Sequence, residues 1–145
     1  MIVFPELADA EALAIGYLLE QTEVTDIFDD RLGTEMPAGT DPNNDGIRAI
    51  IQRVGGTPNV EQWLDNPRLQ IRVYGPKGGR KAARDGAALI QAKLHGLRTE
   101  GIRPQGIVTD CRDTIGLQWL PDPDTGRPGF MFEAELSIHP LPQGS

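Results

Sequence analysis

Residues 130–139 read FMFEAELSIH, and this run constrains the fold more than any other stretch of the chain. Phe130, Phe132, Ala134, Leu136 and Ile138 alternate with Met131, Glu133, Glu135, Ser137 and His139. A period of two over ten residues is the mark of a long strand with one buried face. Before it stands LQWLPDPDTGRPG, a strand end followed by a turn crowded with Pro, Asp and Gly. The two together predict a hairpin that closes a sheet-based domain. No catalytic motif sits on it, which directs attention to a scaffold or assembly protein rather than an enzyme.

The rest of the chain alternates helical and strand patterns. A helix is expected over 9–20, capped by Asp9, with Glu11 in its first turn. Ala12, Ile15 and Leu19 form its predicted stripe, and Leu13, Tyr17 and Leu18 add apolar groups on other faces. A helix apolar nearly all round is buried on more than one side, in the subunit core or against a neighbour. A weak strand is expected over 31–36, then a polar loop, PAGTDPNNDG. IRAIIQRV (47–54) reads as a strand apolar on both faces, stopped by Gly55 and Gly56. TPNVEQWLDNP reads as a loop. RLQIRVYG alternates cleanly, with Leu69, Ile71 and Val73 inward and Arg68, Gln70 and Arg72 outward.

A second helix is expected over 79–97. Its apolar stripe is Ala83, Ala87, Ile90, Leu94 and Leu97, and Gly86 in its interior implies close approach of a neighbouring element. Residues 106–120 read as one long strand, or two with a break. Ile107, Thr109, Cys111, Ile115, Leu117 and Trp119 share its expected inner face, with a bulge near 113–116. The predicted architecture is a single α+β domain over 1–145: an antiparallel or mixed sheet with two helices on one face.

Composition narrows the function. With 145 residues the chain suits one domain with a sizeable core. At 39% hydrophobic content, with 17 glycines and 12 prolines, that core is thin and the loops numerous, so neighbouring subunits are expected to complete the burial. A net charge of -7 argues against general nucleic-acid binding, which needs a basic surface. The single cysteine, Cys111, excludes a disulfide framework and a multi-cysteine metal site. No apolar run approaches the roughly 20 residues that span a bilayer. The first residues lack the basic start of a secretory signal, so a soluble, unprocessed protein is expected.

The chemistry-bearing motifs are weak. DPNNDG supplies Asp41, Asn43, Asp45 and Gly46 in the order of a calcium loop, but the twelfth position, which should be a bidentate Glu, is Gln52. It reads as a turn, and no metal site is expected. GPKGGRK lacks the Gly-Lys-Ser/Thr step of a phosphate loop. Lys77, Arg80, Lys81 and Arg84 nonetheless cluster at a helix start, where positive charge opposes the macrodipole. They form either a solvated loop or a site for an anionic partner, acidic residues of a neighbour or DNA. Asp122 and Asp124 belong to turn chemistry. Serine occurs only at 137 and 145, and His95 and His139 lie far apart. No catalytic residue and no cofactor are expected. Trp119 is expected to pack, whereas Trp63, in a polar loop, also suits an interface hot spot. Glu133 and Glu135 share a side of their strand, and Arg68 and Arg72 face outward from theirs. These four can form ion pairs across strands or across subunits, or simply a solvated face.

The order of these segments resembles the tail terminator proteins of long-tailed phages infecting actinobacteria, also known as head-to-tail connector or tail completion proteins. The resemblance rests on PELADAEALAIGYLLEQ, a strand ending TEMP, IIQRVGG, LDNPRLQIRVYGP leading into an Ala-rich helix, and LQWLPDPDTGRPGFMFEAELSIHP. It covers about residues 5–140. It implies a lambda-type α+β subunit, six of which form a ring that caps the tail tube, ends its polymerisation and docks to a neck or head-closure protein. Genomic DNA would pass through the ring without sequence-specific binding. It further implies a virion component with no catalytic residues, no cofactor and no membrane partner. Another neck component, such as a head-closure or minor capsid protein, and a small ligand-binding domain are the competing readings.

Overall fold

The computed structural model describes residues 9–36, 46–59 and 64–141. The DPNNDG positions 41–45 and Trp63 lie outside them. Helix α1 (Ala10–Leu19) and helix α2 (Thr22–Phe28) lead into strand β1 (Leu32–Gly33). Strands β2 (Arg48–Asn59) and β3 (Leu64–Tyr74) follow, then helix α3 (Arg80–Leu94) with a 3-10 turn over His95–Arg98. Strands β4 (Ile102–Arg103), β5 (Gly106–Trp119) and β6 (Gly129–His139) complete the fold. The six strands of the described residues form one sheet in the order β1-β2-β3-β6-β5-β4. β1 runs parallel to β2, and the other neighbours are antiparallel. This is the α+β class expected, with α2 added to the two helices read from sequence.

One apolar core lies between the sheet and the helices. Leu69, Ile71, Val73, Phe132, Ala134 and Leu136 are sealed beneath Leu13, Leu18, Phe28, Ala87 and Ile90. Burying each Leu, Ile or Phe contributes about 1.5–3 kcal/mol, so the closing strand and β3 anchor the fold. Their alternation is as the sequence implies. Ile50 and Ile51 are both buried, on opposite faces, as expected of a two-sided strand.

Helix α1 starts where Asp9 accepts from the Ala12 amide at 3.0 Å. Its inward stripe, however, is Ala10, Leu13, Ala14, Tyr17 and Leu18, and Leu19 is exposed. The expected stripe through Ala12 and Ile15 is only half-buried. A helix so uniformly apolar does not declare its own rotation. Glu11 sets it, because its carboxylate accepts from the Arg53 amide of β2 at 2.9 Å.

The weak strand expected over 31–36 shrinks to the two residues of β1. The second helix ends as an α-helix at Leu94 and tightens into the 3-10 turn before Thr99. Gly86 does lie at a close approach: a Cβ there would stand 2.6 Å from Ile47 Cδ1 and 3.0 Å from Phe28 Cζ. The two glycines expected to stop β2 do not. A bulge between Arg53 and Gly55 carries the strand onward to pair Pro58 with Asp65 and Asn59 with Leu64. Gly56 makes this possible at φ +106°, where a Cβ would fall 2.1 Å from the Asn66 carbonyl oxygen.

β5 is a single strand with three register shifts, two of them across the bulge region expected near 113–116. The first, between Val108 and Asp110, turns Val108 and Cys111 inward and leaves Thr109 exposed. That corrects the expected inner face at Ile107 and Thr109. Ile115 is corrected too, because it sits opposite Glu133 on the outer face.

Candidate assembly surfaces

The outer face of the sheet gathers Arg68, Arg72, Glu133 and Glu135. The register explains it: Gln70 opposes Glu133, Arg68 opposes Glu135 and Arg72 opposes Met131 across β3 and β6. Arg68 Nε stands 4.0 Å from Glu133 Oε2. On the far side of β6, Arg112 opposes Glu135 and donates to it at 2.5 Å. Glu133 is almost fully buried, not solvated as its outward position suggests. Arg72 donates to Gln52 Oε1 at 3.1 Å and to the Tyr74 hydroxyl at 3.3 Å, while Gln52 donates to the Thr34 carbonyl at 2.6 Å. Burial raises the Tyr74 phenol above its usual pKa, partly countered by Arg72. Arg68, Arg112 and Glu135 line an open hollow with Gly56 and Asn66. Arg112 was not singled out from sequence. The spacing of β5 and β6 would have found it only with the bulges known.

The basic cluster divides into two parts. Arg80 lies over the Trp119 ring, 4.4 Å from its centroid, and 5.8 Å from that of Phe130. The two rings meet edge to face at 5.3 Å. Arg80 therefore ties the start of α3 to the end of β5. Lys81 and Arg84 bond the Asp85 carboxylate at 3.0 and 3.5 Å and hold its pKa below the usual range. Asp85 answers part of the charge against the helix dipole, yet Lys81 and Arg84 remain largely exposed. Lys77 is exposed in the turn before α3.

Arg127 is the large buried cation that sequence reasoning missed. It donates from Nε to the Gly75 carbonyl at 3.0 Å and from Nη2 to the Gly46 carbonyl, docking the β5–β6 turn onto the ends of β2 and β3. Nothing in PDPDTGRPG distinguishes it from an exposed turn residue. Asp122 performs turn chemistry as expected, accepting from the Asp124 amide at 3.1 Å and the Thr125 hydroxyl at 2.6 Å.

The titratable groups scatter. Asp113 is held by Gln91 and His95, each at 3.1 Å, on the helical face opposite Ala134. Asp110 and His139 sit opposite Ser137 and Ile107 on the other face. Desolvation, reinforced by Asp113, pushes the Cys111 thiol up to about 12, so it is a thiol and not a thiolate at neutral pH. Among the described residues no three His, Cys, Asp or Glu side chains gather as a metal site. No helix among them is long and apolar enough to cross a membrane.

The fold has a counterpart among solved structures. A chain of a native gene transfer agent particle virion superposes with a TM-score of 0.69 over 89% of this chain and 93% of that one, at 11% identity. At that identity the likeness establishes the fold. No family model matches the sequence, and no curated protein matches it. The overlap is nearly complete in both directions, so the sheet and its helices match as a whole fold rather than as a fragment of one.

Proposed function

We propose that the chain is a structural protein of a phage-type virion. More specifically, it is a tail terminator whose copies form a ring, six by the sequence resemblance, at the end of the tail tube. The ring stops tube polymerisation and joins the tail to a neck or head-closure protein, and DNA passes through its channel. The observation that carries this reading is the near-complete superposition on a chain of a virion particle. The sequence resemblance assigns the position within the particle. The acidic balance of -7 suits a channel that must not grip its polyanionic cargo. On this reading the chain works by assembly and not by catalysis.

Deleting the gene from its phage tests the reading. The expected result is headless tails of uncontrolled length alongside filled, tailless capsids. Particles with tails of normal length would overturn it.

A further inference from the structure

The sheet has two unlike rims at one level. A single row of paired residues crosses it, Trp119 to Phe130 to Val73 to Ala49 to Leu32. At the Trp119 end, β4 covers β5 only at Gly106 and Ile107. From Arg112 to Trp119 no strand among the described residues lies beyond β5. This rim carries exposed Trp119 and Leu120 and, above them, Arg80, Lys81 and Arg84 at the start of α3. At the Leu32 end, β1 is the outermost strand among the described residues, and α2 runs directly into it. That rim carries exposed Asp26, Asp29 and Asp30 with exposed Ile27 between them. Arg31 is turned away from the acids, onto the Ile47 and Ile27 carbonyls at 2.8 and 3.2 Å.

We infer that the basic β5 rim of one copy docks on the acidic α2–β1 rim of the next. Lys81 and Arg84 then face Asp26, Asp29 and Asp30, and Trp119 and Leu120 meet Ile27. The directions agree. β1 and β2 run opposite to β5, so a neighbour placed in the same orientation offers β1 antiparallel to β5, the geometry of strand addition. Open strand edges are templates for such pairing. A contact between two different patches is heterologous and propagates head to tail, which closes into a ring when the rotation permits. Exposed like charges on each rim disfavour rim-to-like-rim pairing and so set the polarity of the ring.

This inference rests on the ring reading, and its test separates the two. Lys81→Glu with Arg84→Glu, and Asp26→Lys with Asp30→Lys, are each followed by native mass spectrometry beside the wild type, with circular dichroism to verify folding. Each reversed pair should weaken assembly at least tenfold, and the protein carrying both reversals should regain rings. A wild type that forms rings, with folded reversals that assemble equally well, overturns this inference and leaves the ring standing. A wild type that stays monomeric at all concentrations and in the particle overturns the ring itself. Gln118→Cys with Gly33→Cys supplies a second measurement, since the two positions oppose one another if the sheet continues between copies. Oxidation should give a ladder of covalent multimers, and monomers alone under ring-forming conditions would count against the contact.

Discussion

Arg53 grips Asp65 at two points, Nη1 to Oδ2 at 2.6 Å and Nη2 to Oδ1 at 2.9 Å, on the helical face of the sheet. Asp65 is almost completely buried, whereas the Arg53 side chain keeps 31% of its exposure. Arg53 Nε also donates to the Gly55 carbonyl at 3.1 Å, so one side chain fastens the bulge and the β3 carboxylate together. The pair spans the point where β2 would otherwise end.

The unequal burial predicts unequal costs. Arg53→Met strands a buried carboxylate and should destabilise the fold by about 3–5 kcal/mol. Asp65→Asn leaves an arginine that still reaches water and should cost less, about 1–3 kcal/mol. Urea unfolding of both variants checks the order. Equal costs, or the reverse order, would show that Asp65 does not depend on Arg53.

Gly56 is the other requirement of the bulge. Gly56→Ala places a Cβ against the Asn66 carbonyl at a backbone conformation L residues rarely adopt. Backbone strain alone of this kind costs about 1–3 kcal/mol, and the clash adds to it. Thermal unfolding should report a clear loss, while Gly126→Ala, also at positive φ but with open space around it, should lose less.

Cys111 gives a pH prediction. Its thiol is raised from near 9 to about 12 by burial. A group whose folded pKa is raised contributes stability in full below its unfolded pKa and loses it as the pH rises through the folded one. Stability should therefore fall between pH 9 and pH 12 more steeply in the wild type than in Cys111→Ala. At pH 8 the native thiol should not react with a disulfide reagent until the chain unfolds. Rapid labelling of folded protein would contradict the burial.

Glu23 supplies the opposite sign. Lys93 holds its carboxyl below 4.5, chiefly through their hydrogen bond. The pair's contribution is present above that pH and disappears as the pH falls through the lowered value. Glu23→Gln should thus differ from wild type at pH 7 and converge with it in acid, with melting curves as the readout. A difference that persists at pH 2 would point to packing instead of charge.

The sequence disclosed what periodicity encodes. β6, the Leu69, Ile71 and Val73 face, and the Ala83, Ala87, Ile90 and Leu94 stripe are regular enough to read directly. Gly86 announced its close approach because glycine inside a helix needs a reason. The seven residues of α2 escaped because TEVTDIF is short and rich in β-branched residues, a pattern that packing against α3 overrides. The inner face of β5 was misassigned because three inserted residues, the first at Thr109, each reverse the alternation that follows, and no local signal marks them. Arg53 with Asp65, Arg112 with Glu135, and Arg127 with Gly46 join positions 12, 23 and 81 residues apart, and pairing at such range is fixed by topology alone. The polar surface residues Arg68, Arg72, Glu133 and Glu135 were legible as a shared face. That Glu133 is buried there was not, because outward position implies exposure only when nothing covers the face.

The proposed ring of copies at the end of a virion tail is open to direct view by cryo-electron microscopy of the assembled particle. The expected image is a closed ring of identical α+β subunits, six in number, between the last tube layer and the neck, with the sheet of each copy meeting the next at the β5 and β1 rims. A particle in which this fold occurs as an isolated subunit, or does not occur at the head-proximal end of the tail, would contradict it.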